Sequence, residues 1–295
     1  MADFNKTNIV RIIGTLENAT TEVKNSSRDG HEYIIVNAVV SSVINGVKNE
    51  YDVRFMANKL TSDKKINKLF EQYQGIETLI GKKVDISGSL RTNRFFSTRN
   101  NQIVNSQTIE GKFIHGTVES ALDVATFTIT GFIAQLLTEK TNKEGKVYRY
   151  DIVIGQGNYA NDCANLFTLH VDPTNTAVVK GITNSYKIGD TVQFNGALNF
   201  KVEHVTVEDK NSAFGEPLVR TYTNRQRNFY ILGGSNPLTV EDGAYPSEII
   251  QALIAGYKAK DVELSAAATS NAGNDESDFS VPSTKNVSTR QTSLI

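Results

Sequence analysis

Apolar and polar residues alternate with a period of two along much of the chain. In residues 83–90 (KVDISGSL) and 191–198 (TVQFNGAL), every second position is apolar or glycine. This alternation is typical of a strand that has one buried face and one solvated face. The pattern predicts a protein built mainly from half-buried β-strands. Four glycines lie inside such runs, where a small barrel has to bend sharply: Gly14, Gly88, Gly131 and Gly196.

The same order of elements occurs twice. Residues 80–90 (IGKKVDISGSL) and 188–198 (IGDTVQFNGAL) share Ile-Gly, Val and Gly-x-Leu without a gap. Each is preceded by three strand-like runs and one helix-like run, and each leads into a further strand-like run. Three strands, a helix and two strands are the order of the OB-fold, a five-stranded Greek-key barrel. We therefore predict two diverged copies of one barrel.

Apolar residues with helical spacing predict three helices. The first lies between Ser62 as its N-cap and Gly75 as its C-cap. The second begins at Asp172, with Pro173 in its first turn. The third covers residues 247–260. The predicted buried stripes are Ile66, Leu69, Phe70 and Tyr73 in the first helix, Ala177, Val178, Gly181 and Ile182 in the second, and Ile249, Ile250, Leu253, Ile254 and Tyr257 in the third.

The predicted fold class is all-β with minor helices: two tandem OB-fold barrels, a C-terminal helix and a disordered tail. We assign the first barrel to residues 1–118, the second to 119–236, and a linker with the helix to 237–262. Residues 263–295 are small, polar and aperiodic. Because they offer too little apolar surface to offset the entropy of ordering, we predict that they form a disordered acidic tail.

Composition indicates a soluble globular protein, since 39% of the 295 residues are hydrophobic and 21% are charged. The only cysteine, Cys163, excludes an internal disulfide and is compatible with a reducing compartment. No apolar run reaches membrane-spanning length, and the first residues lack the features of a signal peptide. We expect an intracellular protein, in the cytoplasm of a bacterium or of an infected host cell, with no membrane partner.

The net charge of −1 conceals local basic segments. Residues 82–115 contain six lysines and arginines against two acidic residues, and residues 217–232 contain three arginines and no acid. Local basic stripes bind phosphates even when the whole chain is neutral.

One basic segment, residues 91–102 (RTNRFFSTRNNQ), also contains two aromatic rings. It follows the fourth strand of the first copy, so we predict that it forms the loop between strands four and five, beside the nucleic-acid face of OB-folds. Arginines neutralise phosphates, and phenylalanine rings stack on any base. In the alternative interpretation, the rings fold back onto the barrel and the arginines are merely solvated. The candidate contacts are Arg91, Arg94, Phe95, Phe96 and Arg99.

Further candidates lie in the second copy and on strands two and three. Residues 218–232 (LVRTYTNRQRNFYIL) interleave arginine with aromatic residues, and Tyr222 is expected to be exposed. Lys201 lies on the solvated face of its strand, whereas Phe200 is expected in the core. For the positions on strands two and three, an equally valid interpretation is that the side chain is half-exposed and contacts no ligand. The candidates are Tyr33, Arg54, Arg149, Lys201, Arg220, Tyr222, Arg225 and Arg227.

No residue pattern supports catalysis or a metal site. The four histidines are far apart in sequence, and none has the paired spacing of a zinc site. The chain contains neither a GxxxxGK[ST] phosphate loop nor a GxSxG elbow. We expect a protein that is not an enzyme and that uses no cofactor or metal.

The predicted tail contains the sequence DESDF at residues 275–279. Acids next to an aromatic ring form a peptide that fits a basic, apolar pocket on another protein, such as a replication or recombination factor. Alternatively, the acids only keep the tail soluble. The residues concerned are Asp275, Glu276, Asp278 and Phe279.

The chain resembles the OB-fold single-stranded DNA-binding proteins, and in particular tandem-barrel members of viral type. The resemblance rests on GTLENATTEV, EYIIVNAVV, the helix, the strand GKKVDISGSL and the basic-aromatic segment after it. It implies stacking of bases on aromatic rings. Members of the family commonly use tryptophan for this, and the chain has none, so phenylalanine and tyrosine would have to substitute.

We therefore expect a non-catalytic, sequence-tolerant protein that coats single-stranded DNA in replication, recombination or repair. RNA is an alternative ligand, because contacts that avoid the 2′-hydroxyl do not separate the two nucleic acids. The alternative function is an all-β assembly or interaction scaffold of a virus or replication complex, in which the basic-aromatic segments contact proteins. The sequence leaves the oligomeric state open.

Overall fold

The computed structural model describes residue 4 and residues 6–27, 29–209 and 218–271. None of the helices in this part of the chain combines the length and the apolarity that a membrane crossing requires.

The first barrel contains five strands and a short helix. The strands are β1 (Asn8–Asn25), β2 (Glu32–Ile44), β3 (Val47–Asn58), β4 (Lys83–Ser97) and β5 (Gln102–Gly116). Helix α1 (Lys68–Gln74) and a 3₁₀ turn (Ile76–Leu79) lie between β3 and β4. Strand β1 pairs with both β2 and β4, β2 pairs with β3, and β4 pairs with β5, all antiparallel. Strand β3 then closes the barrel onto β5 in parallel.

The second barrel repeats this order. Its strands are β6 (Val124–Thr141), β7 (Val147–Gly157), β8 (Ala164–Val171), β9 (Thr191–Asp209) and β10 (Leu218–Gly234), with helix α2 (Thr176–Ser185) before β9. Strand β6 pairs with β7 and β9, β7 with β8, and β9 with β10, while β8 closes onto β10 in parallel. The pairing is that of two five-stranded Greek-key barrels, so the predicted fold class is confirmed.

The two barrels are joined through their first strands. Residues 8–13 of β1 pair antiparallel with residues 124–129 of β6, while residues 10–15 of β1 pair with β4 along the other edge of the strand. A continuous sheet, β5–β4–β1–β6–β9–β10, therefore crosses both barrels. One cluster of buried apolar side chains also extends through both.

Each barrel sends its last hairpin across to the third strand of the other barrel. From the second barrel, Phe200 packs on the ring of Tyr51 with centroids 5.4 Å apart, and the Tyr51 hydroxyl donates to the Leu198 carbonyl at 3.3 Å. From the first barrel, the Gln107 side-chain oxygen accepts from the Thr168 amide at 3.0 Å. The hairpins β4–β5 and β9–β10 thus clasp the opposite barrel.

The strand glycines occur at pseudo-equivalent positions because the backbones approach closely there. A Cβ on Gly14 would overlap the Ser41 carbonyl oxygen of the neighbouring strand, and a Cβ on Gly88 would overlap the Glu110 carbonyl oxygen. In the second barrel, Gly131 and Gly196 stand in the same relation to the carbonyls of Gly155 and Tyr230. These four glycines therefore allow close approach of neighbouring strands.

The first two helices begin later than predicted. Asn67, not Ser62, caps α1 by accepting from the Leu69 amide at 3.0 Å, and Gly75 ends the helix as expected. Asn175 caps α2, since Asp172 instead accepts from the amide and hydroxyl of Thr174 in a preceding turn. In both cases a nearer polar side chain competes for the first free amides of the helix. Of the predicted buried stripes, Phe70, Tyr73 and Ile182 are buried, Leu69 and Val178 are half-buried, and Ile66, Ala177 and Gly181 are exposed.

Helix α3 (Ser247–Asn271) begins where predicted and continues past the predicted end at Lys260. Its alanine-rich segment at residues 266–268 extends the helix into the region predicted to be disordered. The predicted apolar stripe is confirmed, because Leu253 is fully buried against a cluster that contains Phe132, Ala164 and Tyr245. The partly buried members of the stripe that pack on this cluster are Ile249, Ile250, Ile254 and Tyr257.

We expect Gly88→Ala to lower the free energy of unfolding by about 1–3 kcal/mol, because the new methyl group would push two paired strands apart. The matched control is Gly181→Ala, on helix α2, where a Cβ would meet no described atom within 4 Å. That change should raise stability by about 0.5–1 kcal/mol. Urea denaturation followed by circular dichroism measures both, and equal effects of the two substitutions would contradict the close-approach explanation.

Candidate nucleic-acid interface

The outer wall of the first barrel carries four of the candidate residues. Arg54 on β3 alternates with the buried Val53 and Phe55, so its side chain faces outward. Arg54 lies opposite Glu110 of β5, and β5 in turn pairs with β4, which carries Arg91. The four outward-facing candidates on this wall are Tyr33, Arg54, Arg91 and Phe95.

The arginines of this wall differ in their partners. Arg91 is held by Glu110, whose two carboxylate oxygens accept from its Nη1 at 2.7 and 2.8 Å. Arg54 is exposed, and the described residues include no carboxylate in an ion pair with it. Arg54 is therefore the least occupied guanidinium of the wall.

The segment RTNRFFSTRNNQ is a hairpin rather than the predicted loop. Strand β4 continues to Ser97 and pairs with β5 as far as Gln102, so that only residues 98–101 form the turn. Phenylalanine, isoleucine, valine and threonine favour strands, and their cross-strand pairs extend the ladder beyond the barrel. Arg99 lies exposed in the turn, as a loop contact would.

The two faces of this hairpin have different environments. Phe95, with Arg91, lies on the outer face and is 43% exposed. Phe96 lies on the opposite face with Arg94, is half-buried and pairs with Ile103. Phe95 is therefore open to a base. The half-buried Phe96 fits the alternative interpretation, in which the ring packs on the protein.

Arg94 is held by helix α3. Its guanidinium carbon lies 3.5 Å from the centroid of the Tyr257 ring, and its Nη1 donates to the Tyr257 carbonyl at 2.9 Å. It also forms an ion pair with Asp261, and only 12% of its side chain is exposed. Its contacts are those of an anchor for α3, which the sequence did not indicate because more than 160 residues separate the partners.

Arg149 in the second barrel belongs to a polar cluster of buried and half-buried side chains. Its Nε lies 2.7 Å from the Asp151 carboxylate, and its Nη1 donates to the Asn228 side-chain oxygen at 3.1 Å. His170 is beside them, with Nε2 3.9 Å from Asp151, and its Nδ1 accepts from the Phe229 amide at 2.9 Å. These contacts fix Arg149 in a structural network.

The pKa of His170 is lowered from its ordinary value of 6.5 to about 4. Burial is the main cause because it disfavours the charged ring, the charge of Arg149 acts in the same direction, and Asp151 opposes both. His170 is therefore neutral at physiological pH. It lines a groove of about 300 Å³ between the barrels, together with Asn105, Ser106, Gln107, Thr168, Arg227 and Phe229.

Arg225 and Arg227 reach from hairpin β9–β10 to the first barrel. Arg225 lies 3.4 Å from the Asp52 carboxylate and 3.8 Å from Glu50, and Arg227 also pairs with Asp52. We call Arg54, Arg91, Arg225 and Arg227, with the carboxylates of Glu50, Asp52 and Glu110, the arginine face. The acids were missed from the sequence, although the alternation of Glu50, Asp52 and Arg54 on one side of β3 could have indicated them.

The remaining candidates differ in their exposure and in their position in the fold. Lys201 is half-buried at the clasp and pairs in register with Asn49, and Tyr222 is 40% exposed, as expected. Arg220 lies on β10, opposite Val207. The tail candidates Asp275, Glu276, Asp278 and Phe279 fall outside the described residues. In the described part of the chain, no three histidine, cysteine or acidic side chains are grouped closely enough to hold a metal ion.

The sequence profile of the family described as YorF matches residues 6–267 of the chain. The chain belongs to the YorF family. No curated protein matches it. Among solved structures, this YorF-family chain is similar to a deletion mutant of the single-stranded DNA binding protein from Thermus aquaticus, with 14% identity and a TM-score of 0.48 over 82% of this chain and 98% of that one.

A second similar structure is the small single-stranded DNA-binding protein from Streptomyces coelicolor. It has 13% identity and a TM-score of 0.26, over 38% of the YorF-family chain and 96% of its own. The fold assignment rests on the strand pairing described above.

We expect Arg94→Ala to loosen helix α3, because it removes the ring contact, the hydrogen bond and the ion pair together. The opening free energy of the helix should fall by about 1–3 kcal/mol. Hydrogen exchange of the α3 amides measures this. Arg99→Ala, in the turn of the same hairpin, is the control and should leave α3 protected. Unchanged exchange in Arg94→Ala would show that the apolar stripe alone holds the helix.

We expect the free energy of unfolding to decrease as the pH falls from about 6.5 to about 4. In this window the unfolded chain protonates His170 but the folded chain does not, so the loss reaches at most about 3 kcal/mol. His170→Gln keeps an acceptor for the Phe229 amide and should flatten this part of the profile. His115→Gln, at an exposed position, should not. A profile of His170→Gln that keeps its slope would assign the pH dependence to other groups.

Proposed function

We propose that this YorF-family protein binds single-stranded DNA and catalyses no reaction. The observation that carries the proposal is the outer wall of the first barrel, where Arg54 and Arg91 meet at Glu110 and the exposed ring of Phe95 lies further along the same face of β4. Tyr33 faces outward on β2, at the other end of this wall. In OB-folds, the face of strands two and three and the adjoining loops bind oligonucleotides.

The chemistry of this surface suits a ligand of repeating phosphates and bases. Arginines attract phosphates and donate to their oxygens, while Phe95 and Tyr33 provide rings on which bases stack irrespective of sequence. Each stacked base contributes roughly 1–3 kcal/mol. The second barrel would extend the path through Arg225 and Arg227, which already lie beside β3 of the first barrel.

The wider role follows from this chemistry. A sequence-tolerant binder that coats single strands would act in replication, recombination or repair, inside a bacterium or an infected host cell. A viral or mobile-element setting fits a chain of two barrels. Recruitment of replication or recombination proteins would fall to the acidic-aromatic segment at residues 275–279.

The second candidate function is a protein-interaction scaffold, and one observation favours it. Both basic-aromatic hairpins make protein contacts within this chain: Arg94 binds α3, and Arg227 binds Asp52. A scaffold would extend such contacts to other chains.

Fluorescence anisotropy with a labelled oligo-dT of about thirty nucleotides, at several salt concentrations, tests the proposal. We expect binding that weakens steeply as salt rises, with little binding of a duplex of equal length, since stacking requires unpaired bases. A poly-U oligonucleotide of the same length measures the preference for DNA over RNA. Failure to bind dT at low salt would favour the scaffold.

We expect Arg54→Gln to weaken binding by about 1 kcal/mol, roughly fivefold, and to reduce the salt slope by roughly 0.7. Lys180→Gln is the control, because it removes the same charge from an exposed position on α2. Equal losses in the two variants would indicate a general charge effect and no contact at Arg54.

A further inference from the structure

The arginine face is nearly balanced in charge by carboxylates of the same chain. Four arginines (Arg54, Arg91, Arg225, Arg227) lie with three acids (Glu50, Asp52, Glu110), which leaves a net charge of +1. Three of the four guanidinium groups are therefore already bound to oxygens. Any phosphate that reaches them has to compete with a carboxylate.

Asp52 is the carboxylate that two arginines share. Arg225 approaches it to 3.4 Å through Nη1, and Arg227 binds it through Nη2. The three side chains remain 43–46% exposed. Two guanidinium groups around one exposed anionic oxygen also form a suitable site for a phosphate, which carries negative charge and accepts the same hydrogen bonds.

The shared carboxylate lies where the two barrels meet. Asp52 belongs to β3 of the first barrel, and both arginines belong to the hairpin of the second. Arg227 also lines the groove of about 300 Å³ with polar side chains of β5 and β8. A single strand of DNA that runs from the outer wall of the first barrel to the second barrel would pass this point.

We propose that Asp52 occupies a phosphate site formed by Arg225 and Arg227, and that a phosphate of the bound strand displaces it. This inference rests on the proposed function and deepens it, since it makes Asp52 a determinant of affinity. Displacement exchanges one oxygen anion for another at the same two guanidinium groups. The carboxylate therefore limits affinity for weakly held polyanions while it keeps the arginines in position.

The test is to measure the affinity of the Asp52→Asn variant for the labelled oligo-dT by fluorescence anisotropy. This substitution keeps the size of the side chain and removes its charge. We expect affinity to increase by about three- to tenfold at low salt, and the gain to shrink at high salt because the groups are exposed. Asp85→Asn is the matched control: Asp85 pairs with Arg11 at 2.7 and 3.2 Å, on the same barrel but outside the arginine face. It should leave affinity unchanged.

A double-mutant cycle separates competition from a general charge effect. In the Arg225→Gln/Arg227→Gln background, Asp52→Asn should give no gain, because the site for the phosphate is gone. An equal gain in affinity in both backgrounds would overturn the proposal, and so would unchanged or weaker binding by Asp52→Asn. Asp52 would then serve only as an ion-pair partner that connects the two barrels. Thermal unfolding of each variant is measured alongside.

Glu50→Gln covers the case in which Asp52→Asn does not fold. It removes the carboxylate 3.8 Å from Arg225 and leaves Asp52 in place. A smaller gain in affinity is expected, and a loss would overturn the proposal. If the wild-type chain does not bind oligo-dT at all, the proposed function fails as well. If it binds and Asp52→Asn shows no gain, only this inference fails.

Discussion

The backbone pairing of residues 8–13 with residues 124–129 determines how the rest of the molecule is arranged. Because residues 10–13 of this segment are also paired with β4, the same stretch of β1 belongs to the first barrel and joins the second. The antiparallel register then orients the barrels so that each hairpin meets the third strand of the other. The buried contact of Tyr51 with Phe200 and Leu198 follows from that orientation.

The same orientation sets the electrostatics of the candidate interface. It brings Arg225 and Arg227 from one barrel to Asp52 and Glu50 of the other, so arginines that are separate in sequence become partners of acids. Exposed ion pairs of this kind contribute little to stability. Their larger effect is on what the arginines can bind, because each carboxylate holds a guanidinium group that a phosphate would otherwise meet free.

Helix α3 adds a second constraint on the hairpin of the first barrel. The helix packs its apolar stripe on the second barrel and holds Arg94 of the first through Tyr257 and Asp261. The inner face of the hairpin is therefore occupied by the chain itself at Arg94. Its outer face, with Arg91 and Phe95, is the part that remains open to a ligand.

Period-two alternation and the repeated glycines by themselves determined two similar five-stranded barrels, since burial of one strand face and close backbone approach are local requirements. The apolar stripe of α3 was also predicted from the sequence, because its helical spacing is a local pattern. Partner choice was decided by the tertiary structure. In the sequence, Arg94, Arg149 and Arg227 are strand arginines like Arg54. In the structure they differ from it, because Arg94 contacts α3, Arg149 contacts Asp151 and Arg227 contacts Asp52. Those partners lie on other strands or the other barrel, and only the register between strands brings them within bonding distance.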